Sequence, residues 1–329
     1  MGGTTWRMPP GRRRLVVLAA TALVVLVSLG CQRGGTYPQK PITLIMPLAA
    51  GSAPDVNFRI LAEEAKKTLG QEVVVVNRPG GGGSVGVSEV LQAKPDGYTL
   101  GMAAVAMVTL QPTIQDFPYK GPQDVLPIMQ VLEAPISMSV LNESRWKTMQ
   151  ELVEEAKSKP ETIRVGMAER FSVLHVELER LQELSGAKLT IVPFGAGEQI
   201  PALLGGTVDA AVSQPTVILP HVQAGKARML GIFGEERLEG LESHTFKEQG
   251  YDITQIPYEF LIAPKGTPPE IVQKLHDSFQ GALESARFKE QAEKTKIRVK
   301  YLSGDELAKK LEADAQVYAD VARKLNWRQ

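Results

Sequence analysis

The chain has 329 residues, and its 37 basic and 37 acidic side chains give a formal net charge of zero. This balance excludes a nucleic acid as partner, because nucleic-acid binding needs a basic surface. The length exceeds what one hydrophobic core usually serves, so two domains are expected.

The first thirty residues predict an export signal. Arg7 and the run Arg12–Arg14 precede an uncharged apolar stretch, Leu15–Leu29, which leads into Gly30. A basic start, an apolar middle and small residues at the end are typical of a cleaved signal, and the stretch is shorter than the usual membrane-spanning helix. Without the four arginines of residues 1–30, the remaining chain has 33 basic and 37 acidic residues, a net charge of −4.

Cys31 is the only cysteine, so an internal disulfide is impossible. The run Val27–Cys31 resembles the lipobox of bacterial lipoproteins, with Ser28 where that family prefers leucine. We therefore predict that Cys31 is lipidated, that the lipid tethers the chain to a membrane and that residues 31–40 are a spacer. Ordinary signal cleavage and an uncleaved membrane anchor are the alternatives. All three place the rest of the chain outside the cytoplasm.

From Pro41 onward, short β-rich runs alternate with amphipathic stretches of helical length. This alternation predicts an α/β fold whose sheets are flanked by helices. Capping residues predict helix starts at Thr148, Thr267 and Ser303, and Gly70 predicts a helix end. The predicted strands are residues 42–46, 73–76, 98–104, 163–167, 189–192, 208–212 and 228–233.

The loop between the first predicted strand and its helix is built from small residues. Small side chains let a ligand approach the backbone, and the free N–H groups at a helix start attract an anion. We predict that this loop binds ligand, with Asp55 either capping the helix or holding a water or a donor group of the ligand. A simple tight turn is the alternative. The candidate residues are Ala50, Gly51, Ser52, Ala53 and Asp55.

Four successive glycines, Gly80–Gly83, follow Asn77–Pro79 and precede Ser84. Because such a run costs backbone entropy, a packing or binding reason is expected, and Ser84 is a candidate ligand residue. The run lacks the lysine and hydroxyl residue of a phosphate-binding loop. Phosphate binding is therefore not predicted.

Motifs along the chain, in order and at compatible spacing, resemble the receptors of tripartite tricarboxylate transporters, also called Bug proteins. The matching segments are Tyr37–Leu44, Ala49–Asp55, Asn77–Gly83, Pro95–Leu100, Val192–Phe194, Leu203–Asp209, Leu219–Lys226 and Ala263–Pro268. The resemblance extends over essentially the whole chain after the signal.

The resemblance implies a two-lobed, Venus-flytrap binding protein in which each lobe is a mixed sheet flanked by helices. It implies that residues 41–137 and 257–329 form lobe 1 and that residues 138–256 form lobe 2. Such receptors hold a small carboxylate between the lobes, largely through backbone N–H groups, hydroxyl groups and waters, and deliver it to membrane permease subunits. Neither a cofactor nor a metal ion is implied.

Residues 167–175 depart from the family pattern, which is rich in small hydroxyl residues there. Glu169, Arg170 and Phe171 precede Ser172 in this chain. If Arg170 faces the cleft, it offers a bidentate clamp for a carboxylate, and if Phe171 does, the ligand has an apolar or aromatic body. A solvated Glu–Arg pair beside a packing phenylalanine is the alternative.

Further candidates lie at later helix starts and at the return to lobe 1. His175 is either a donor to the ligand carboxylate or an anchor within its own helix. Tyr258 either closes over the ligand or packs the hinge. The remaining candidates are Phe194, Gly195, Gln214 and Pro215.

Two other function classes stay open. A sensor that signals to a membrane partner would use the same fold, and nothing in the sequence separates sensing from delivery. An extracytoplasmic hydrolase is less favoured, because the four histidines lack metal-ligand spacing and paired carboxylates such as Glu154–Glu155 fall on polar faces.

Overall fold

The structure, a computed structural model, describes residues 2–3, 36–168, 170–195, 197–238, 243–295 and 297–328. Apart from residues 2 and 3, the predicted signal lies outside these ranges, as do residues 31–35 of the predicted spacer, including Cys31, and Glu169. The chain divides into two units, Met1–Gln39 and Lys40–Gln329. All elements named below belong to the second unit.

The strands of the described residues form a six-stranded and a five-stranded sheet. The strands are β1 (Ile42–Met46), β2 (Val73–Asn77), β3 (Thr99–Ala104), β4 (Leu126–Glu133), β5 (Ile136–Leu141), β6 (Arg164–Ala168), β7 (Thr190–Phe194), β8 (Ala210–Ser213), β9 (Ala227–Phe233), β10 (Tyr258–Ala263) and β11 (Arg298–Ser303). The α-helices are α1 (Ala53–Leu69), α2 (Ser84–Leu91), α3 (Val105–Thr109), α4 (Gln111–Ile114), α5 (Met149–Ser158), α6 (Val173–Ser185), α7 (Gln199–Leu204), α8 (Pro215–Gln223), α9 (Pro269–Leu283), α10 (Ala286–Thr295) and α11 (Gly304–Lys324). We call each sheet with its helices a lobe.

The two sheets have a similar arrangement of parallel and antiparallel strands. The six-stranded sheet has the order β11-β4-β10-β3-β1-β2, and the five-stranded sheet has the order β7-β6-β8-β5-β9. In the first, β1 runs parallel to β2 and β3, and in the second, β6 runs parallel to β7 and β8. The remaining strands are antiparallel to their neighbours, so both sheets are mixed. The predicted α/β class is confirmed.

Two crossovers join the sheets. The first runs from Glu133 to Ile136, and the second returns from β9 to Tyr258. Because β10 is antiparallel to β3 and β4, and β5 is antiparallel to β8, both crossovers lie where the parallel strands have their carboxyl ends. The N–H of Ala134 donates to the carbonyl of Pro257 at 2.8 Å and so joins the crossovers. The strand-to-helix loops of the two lobes therefore lie at adjacent edges.

The sequence predicted seven of these strands to within two residues at each end and did not predict β4, β5, β10 or β11. Thr148 and Ser303 cap α5 and α11 as expected, and Gly70 ends α1 with a φ of 70°. The helix predicted to open at residues 267–270 is confirmed by α9, which has proline in its first turn, but Thr267 does not cap it, because its hydroxyl donates to the carbonyl of Pro264. Ile136 and Ser137 pair in the five-stranded sheet, slightly before the predicted lobe boundary. The limits of the two lobes otherwise stay a prediction.

A buried seam joins the lobes, formed by α6, α11 and the return segment before β10. Val173 and Val176 of α6 pack in one apolar cluster with Tyr318 and Val321 of α11. Each large apolar side chain buried in this way contributes roughly 1.5–3 kcal/mol. The seam is therefore part of the hydrophobic core rather than a surface contact.

Polar groups in the seam are paired. The N–H of Gln255 donates to Glu177 Oε2 at 3.1 Å, and the hydroxyl of Tyr318 donates to Gln255 Oε1 at 3.3 Å. The hydroxyl of Tyr258 donates to Asp314 Oδ2 at 2.6 Å. A buried polar group left without its partner costs about 1–3 kcal/mol, so these bonds fix how α6 sits on α11.

Glu177 makes the stability of the seam depend on pH. Its side chain is fully buried, and burial raises its pKa to about 7, against the lowering effect of Arg180 and the Gln255 N–H. The folded pKa lies above the unfolded value of about 4.3. The contribution of Glu177 to stability is therefore complete below about pH 4.3 and is lost as the pH rises through about 7.

We expect Glu177→Gln, which mimics the protonated side chain, to remove this dependence. Between pH 5 and pH 8 the free energy of unfolding should fall by up to about 3 kcal/mol more in the wild type than in the variant. Urea unfolding across this range measures the difference. Glu312→Gln, at an exposed position of α11, is the control and should follow the wild type. Parallel profiles for wild type and Glu177→Gln would contradict the assignment.

Candidate functional site

The predicted ligand residues lie at the adjacent edges of the two lobes. Residues 50–55 follow β1 and Ser84 follows β2, both at carboxyl ends in the six-stranded sheet. Residues 170–175 follow β6, residues 194–195 end β7, and residues 214–215 follow β8, at the carboxyl ends of the five-stranded sheet. The topology therefore assembles these loops on two edges that meet at the crossovers.

Asp55 organises the loop between β1 and α1. It is 2% exposed, and its Oδ2 accepts from the Gly51 N–H at 2.8 Å and from Arg59 Nε at 2.9 Å. Its Oδ1 accepts from Asn77 Nδ2 at 2.8 Å, and Ser52 caps α1 by accepting from the Asp55 N–H at 3.4 Å. Both carboxylate oxygens are thus occupied by protein donors. Asp55 shapes the loop, and direct ligand contact through its carboxylate is not supported.

The charge of Asp55 is stabilised inside this loop. Burial alone would raise its pKa, but the hydrogen bonds from Arg59, Gly51 and Asn77 outweigh burial and hold the pKa below its ordinary value. The carboxyl group is therefore ionised at neutral pH, and its negative charge is paired with Arg59.

Most backbone donors of this loop are used within the protein. The Gly51 N–H binds Asp55, the Ser52 N–H donates to the carbonyl of Ala49 at 3.3 Å, and Pro54 has no N–H. Ala53 is the first residue of α1, and no described residue accepts from its N–H. Of the candidates in this loop, Ala53 is the one that still offers a backbone donor at the helix start.

The glycine run forms a tight turn between β2 and α2. Gly80–Gly83 all have positive φ, from 55° to 132°, which residues with a Cβ rarely adopt. A Cβ on Gly83 would come within 2.5 Å of the Met107 side chain. Gln111 Nε2 also donates to the carbonyl of Gly82 at 3.0 Å. Backbone shape and packing against α3 and α4 therefore account for this run.

Ser84 begins α2 and is buried. The surrounding residues Gly82–Gly86 literally match the Gly-x-Ser-x-Gly pattern of hydrolase nucleophiles. In the part of the chain that the structure describes, no histidine is hydrogen-bonded to Ser84 Oγ. Ser84 stays a candidate for ligand contact.

The loop between β6 and α6 is closed by His175. Phe171 has a φ of 58°, and its N–H donates to His175 Nδ1 at 3.1 Å. Ser172 caps α6 by accepting from the His175 N–H at 3.3 Å. Arg170 is exposed, with its guanidinium carbon 5.3 Å from the centre of the Phe171 ring. Glu169 lies outside the described residues.

Two aromatic candidates of this region are turned toward the protein. Phe171 is half-buried against the apolar cluster of the six-stranded lobe. His175 is 5% exposed, and its ring stacks on Trp327 with 4.4 Å between the ring centres. These contacts support the role of His175 as an anchor within its helix.

The other candidates of the five-stranded lobe differ in exposure. Phe194 is half-buried against the apolar cluster beneath α7 and α8, and the Gly195 N–H donates to Glu198 Oε2 at 3.0 Å. Gln214 is exposed at the start of α8, and Pro215 is buried as its first residue. Gln214 therefore keeps a side chain available to a ligand.

Tyr258 belongs to the core rather than to the cleft. Its side chain is fully buried, and its hydroxyl is bound to Asp314. Burial and the neighbouring Asp314 also raise its pKa well above the ordinary value. The prediction that Tyr258 closes over a ligand is wrong for this structure, because no part of the ring reaches the surface.

Sequence reasoning missed several polar groups near the same edges. Asn77 and Arg59 complete the Asp55 network, and Ser137 Oγ donates to the carbonyl of Ser213 at 3.3 Å. Among the described residues, no partner is found for the buried Oγ of Ser139 or the buried Oε1 of Gln199. The available sequence signal for Ser137 and Ser139 was their alternation with apolar residues in Ile136–Leu141.

Surface cavities and metal-ligand groups do not coincide with the candidate ligand residues. Two surface cavities, of about 220 and 350 Å³, are lined by none of these residues. Within the described ranges no three histidine, cysteine or acidic side chains are grouped to hold a metal ion. No helix there is both long and apolar enough to cross a bilayer.

Comparison with known proteins decides the family. Residues 57–326 match the profile described as the tripartite tricarboxylate transporter family receptor. The UPF0065 protein in the gbd 5′ region of Cupriavidus necator is 35% identical over 298 residues, 90% of each chain. BugT of Bordetella pertussis is 31% identical over 258 residues, 76% of this chain and 78% of that one. The chain belongs to this receptor family.

Solved structures carry the receptor fold. A TctC solute binding protein from Polaromonas matches with a TM-score of 0.80 at 29% identity, over 88% of this chain and 100% of that one. MatC from Rhodopseudomonas palustris with bound malate matches with a TM-score of 0.69 at 26% identity, over 87% and 99%. The receptor is therefore a solute-binding protein of a periplasmic family, and the predicted two-lobed fold is confirmed.

We expect Asp55→Asn to destabilise the receptor at neutral pH by about 1.5–3 kcal/mol, because Arg59 loses a charged partner in a buried network. The folded pKa of Asp55 lies below its unfolded value, so its contribution is present above about pH 4 and is lost as the pH falls through the folded pKa. Urea unfolding of wild type and variant between pH 7 and pH 3 should therefore show a difference that shrinks toward pH 3. Glu63→Gln, an exposed carboxylate of the same helix, is the control. A difference that stays constant with pH would contradict this role.

Proposed function

We propose that this receptor captures a small carboxylate-bearing ligand between its two lobes and delivers it to the permease subunits of a tripartite transporter. The observation that carries the proposal is the topology of the loops. Both sheets present the carboxyl ends of their parallel strands at adjacent edges, and a helix starts after each of those strands. Ligands of open α/β sheets bind at such edges.

The chemistry of these edges suits an anion. The first-turn N–H groups of a helix have no acceptor within the helix, and the helix dipole makes that end positive. The helices α1, α2, α6 and α8 all begin at the two edges. Closure of the lobes brings donors from both sides around one carboxylate and replaces its water.

The relatives support the ligand class and the partner. MatC, at 26% identity, was solved with malate, which is a dicarboxylate. The family description names receptors of tripartite tricarboxylate transporters, which supports permease subunits as the partner. Delivery requires a place outside the cytoplasm, and the export signal and lipidation predicted at Cys31 would hold the receptor there.

A ligand titration tests the proposal. The purified receptor is titrated by calorimetry with malate, citrate, benzoate and glutamate, which separates small polycarboxylates from an aromatic acid and an amino acid. We expect saturable binding of at least one acid and raised thermal stability in its presence, because a ligand at 100 times its dissociation constant stabilises a fold by about 2.7 kcal/mol. No binding of any of the four would contradict the proposed ligand class.

We expect Ala53→Pro to weaken that binding about tenfold without destabilising the fold. Proline is favoured at the first helical position, Ser52 before it already has an extended backbone, and the Ala53 side chain is exposed, so the substitution removes only the N–H donor. Ala53→Gly keeps the N–H and is the matched control. Equal affinities for wild type and Ala53→Pro would exclude this donor while leaving the ligand class intact.

A further inference from the structure

Trp327 follows the last helix of the six-stranded lobe and is almost fully buried. Its N–H donates to the carbonyl of Ala322 at 2.9 Å, after Asn326 turns the chain with a φ of 51°. The residue is only 8% exposed. Such burial requires another part of the protein to cover the Trp327 ring.

The partner surface is the ligand loop of the other lobe. The Trp327 ring stacks on His175 with 4.4 Å between ring centres and an angle of 25°, and it meets Phe171 edge-on at 5.2 Å and 68°. Both geometries are the favoured ones for aromatic pairs. We call Phe171, His175 and Trp327 the aromatic clamp. An ion pair between Lys324 of α11 and Glu183 of α6 also joins the helix before Trp327 to the helix that contains His175.

The clamp holds a conformation that the loop does not favour by itself. Phe171 adopts a left-handed φ of 58°, which a residue with a Cβ keeps only when its surroundings impose it. The surroundings here are the bond from the Phe171 N–H to His175 Nδ1 and the Trp327 ring against both side chains. Because Nδ1 accepts, the proton of the neutral ring is on Nε2, which lies 3.6 Å from Glu179 Oε1.

We propose that Trp327 is a positioning residue for ligand binding. Through the aromatic clamp it holds the loop between β6 and α6 in the conformation that meets the ligand, so that a residue of the six-stranded lobe sets the affinity of the ligand loop in the five-stranded lobe. This inference rests on the proposed function. Trp327 itself need not touch the ligand; it acts through Phe171 and through the start of α6, whose cap Ser172 lies between the two clamped residues.

The test replaces the stacking ring and keeps the apolar volume. Trp327→Leu is compared with Trp327→Phe, which restores an aromatic ring, and with Leu325→Ala, which removes an exposed side chain from the same turn. Amide hydrogen exchange of the peptide over residues 168–176 is measured without ligand. Affinity is measured with malate, citrate, benzoate and glutamate, and urea unfolding is measured on the same samples.

We expect the Phe171 N–H to exchange faster in Trp327→Leu and the affinity for the acid that wild type binds to fall about tenfold, as it does when only a tenth of the molecules hold the binding conformation. Trp327→Phe should recover most of both properties, and Leu325→Ala should match wild type. Unchanged exchange, or faster exchange with unchanged affinity, in Trp327→Leu would overturn the inference alone. A wild type that binds none of the four acids would overturn the proposed function and this inference with it.

Discussion

The hydrogen bond from the Ala134 N–H to the carbonyl of Pro257 marks the constraint on which the receptor depends, because the chain passes between the lobes at that point. The chain leaves the first sheet after β4 and returns as β10, and these two antiparallel strands lie side by side. Their direction then fixes which edge of each sheet meets the other. The parallel strands end at those edges, so the ligand loops face each other as a consequence of topology and not of any one loop sequence.

Asp55 is a buried carboxylate next to the proposed anion site, where its charge would repel an anionic ligand. The hydrogen-bond network around Asp55 explains how the two are compatible. Arg59 neutralises its charge, while Gly51 and Asn77 fill its remaining acceptor positions. The pair therefore presents little net charge to the cleft, and in the proposed function a ligand carboxylate would be attracted by the α1 helix start. Because the Gly51 N–H donates to Asp55, it is not available to a ligand. The same hydrogen bond fixes the shape of the loop around Ala53.

The sequence predicted what depends on local pattern. The parallel strands are short runs of valine and other apolar residues, and the capping boxes at Thr148 and Ser303 are complete within four residues. It missed β10, whose partners in β3 and β4 lie more than a hundred residues earlier, and so could not decide whether Tyr258 closes over a ligand or packs the hinge. In the structure Tyr258 is held by Asp314 of α11. The environment of Phe171 and His175 was likewise beyond reach, since it is completed by Trp327 from the far end of the chain.

The seam between α6 and α11 limits the motion by which the lobes can close. Separating the two helices would break the bonds of Gln255 to Glu177 and Tyr318 and would expose the apolar cluster around Val176. Each hydrogen bond exchanged for water would cost about 0.5–1.5 kcal/mol, and each large apolar side chain exposed would cost roughly 1.5–3 kcal/mol, whereas the whole binding energy of a ligand with micromolar affinity is about 8 kcal/mol. For the proposed capture of a ligand, we therefore expect the lobes to rotate about the seam while the seam stays packed. Loops far from this axis would then move most, and the loop that carries Phe171, which lies beside the seam, would move least.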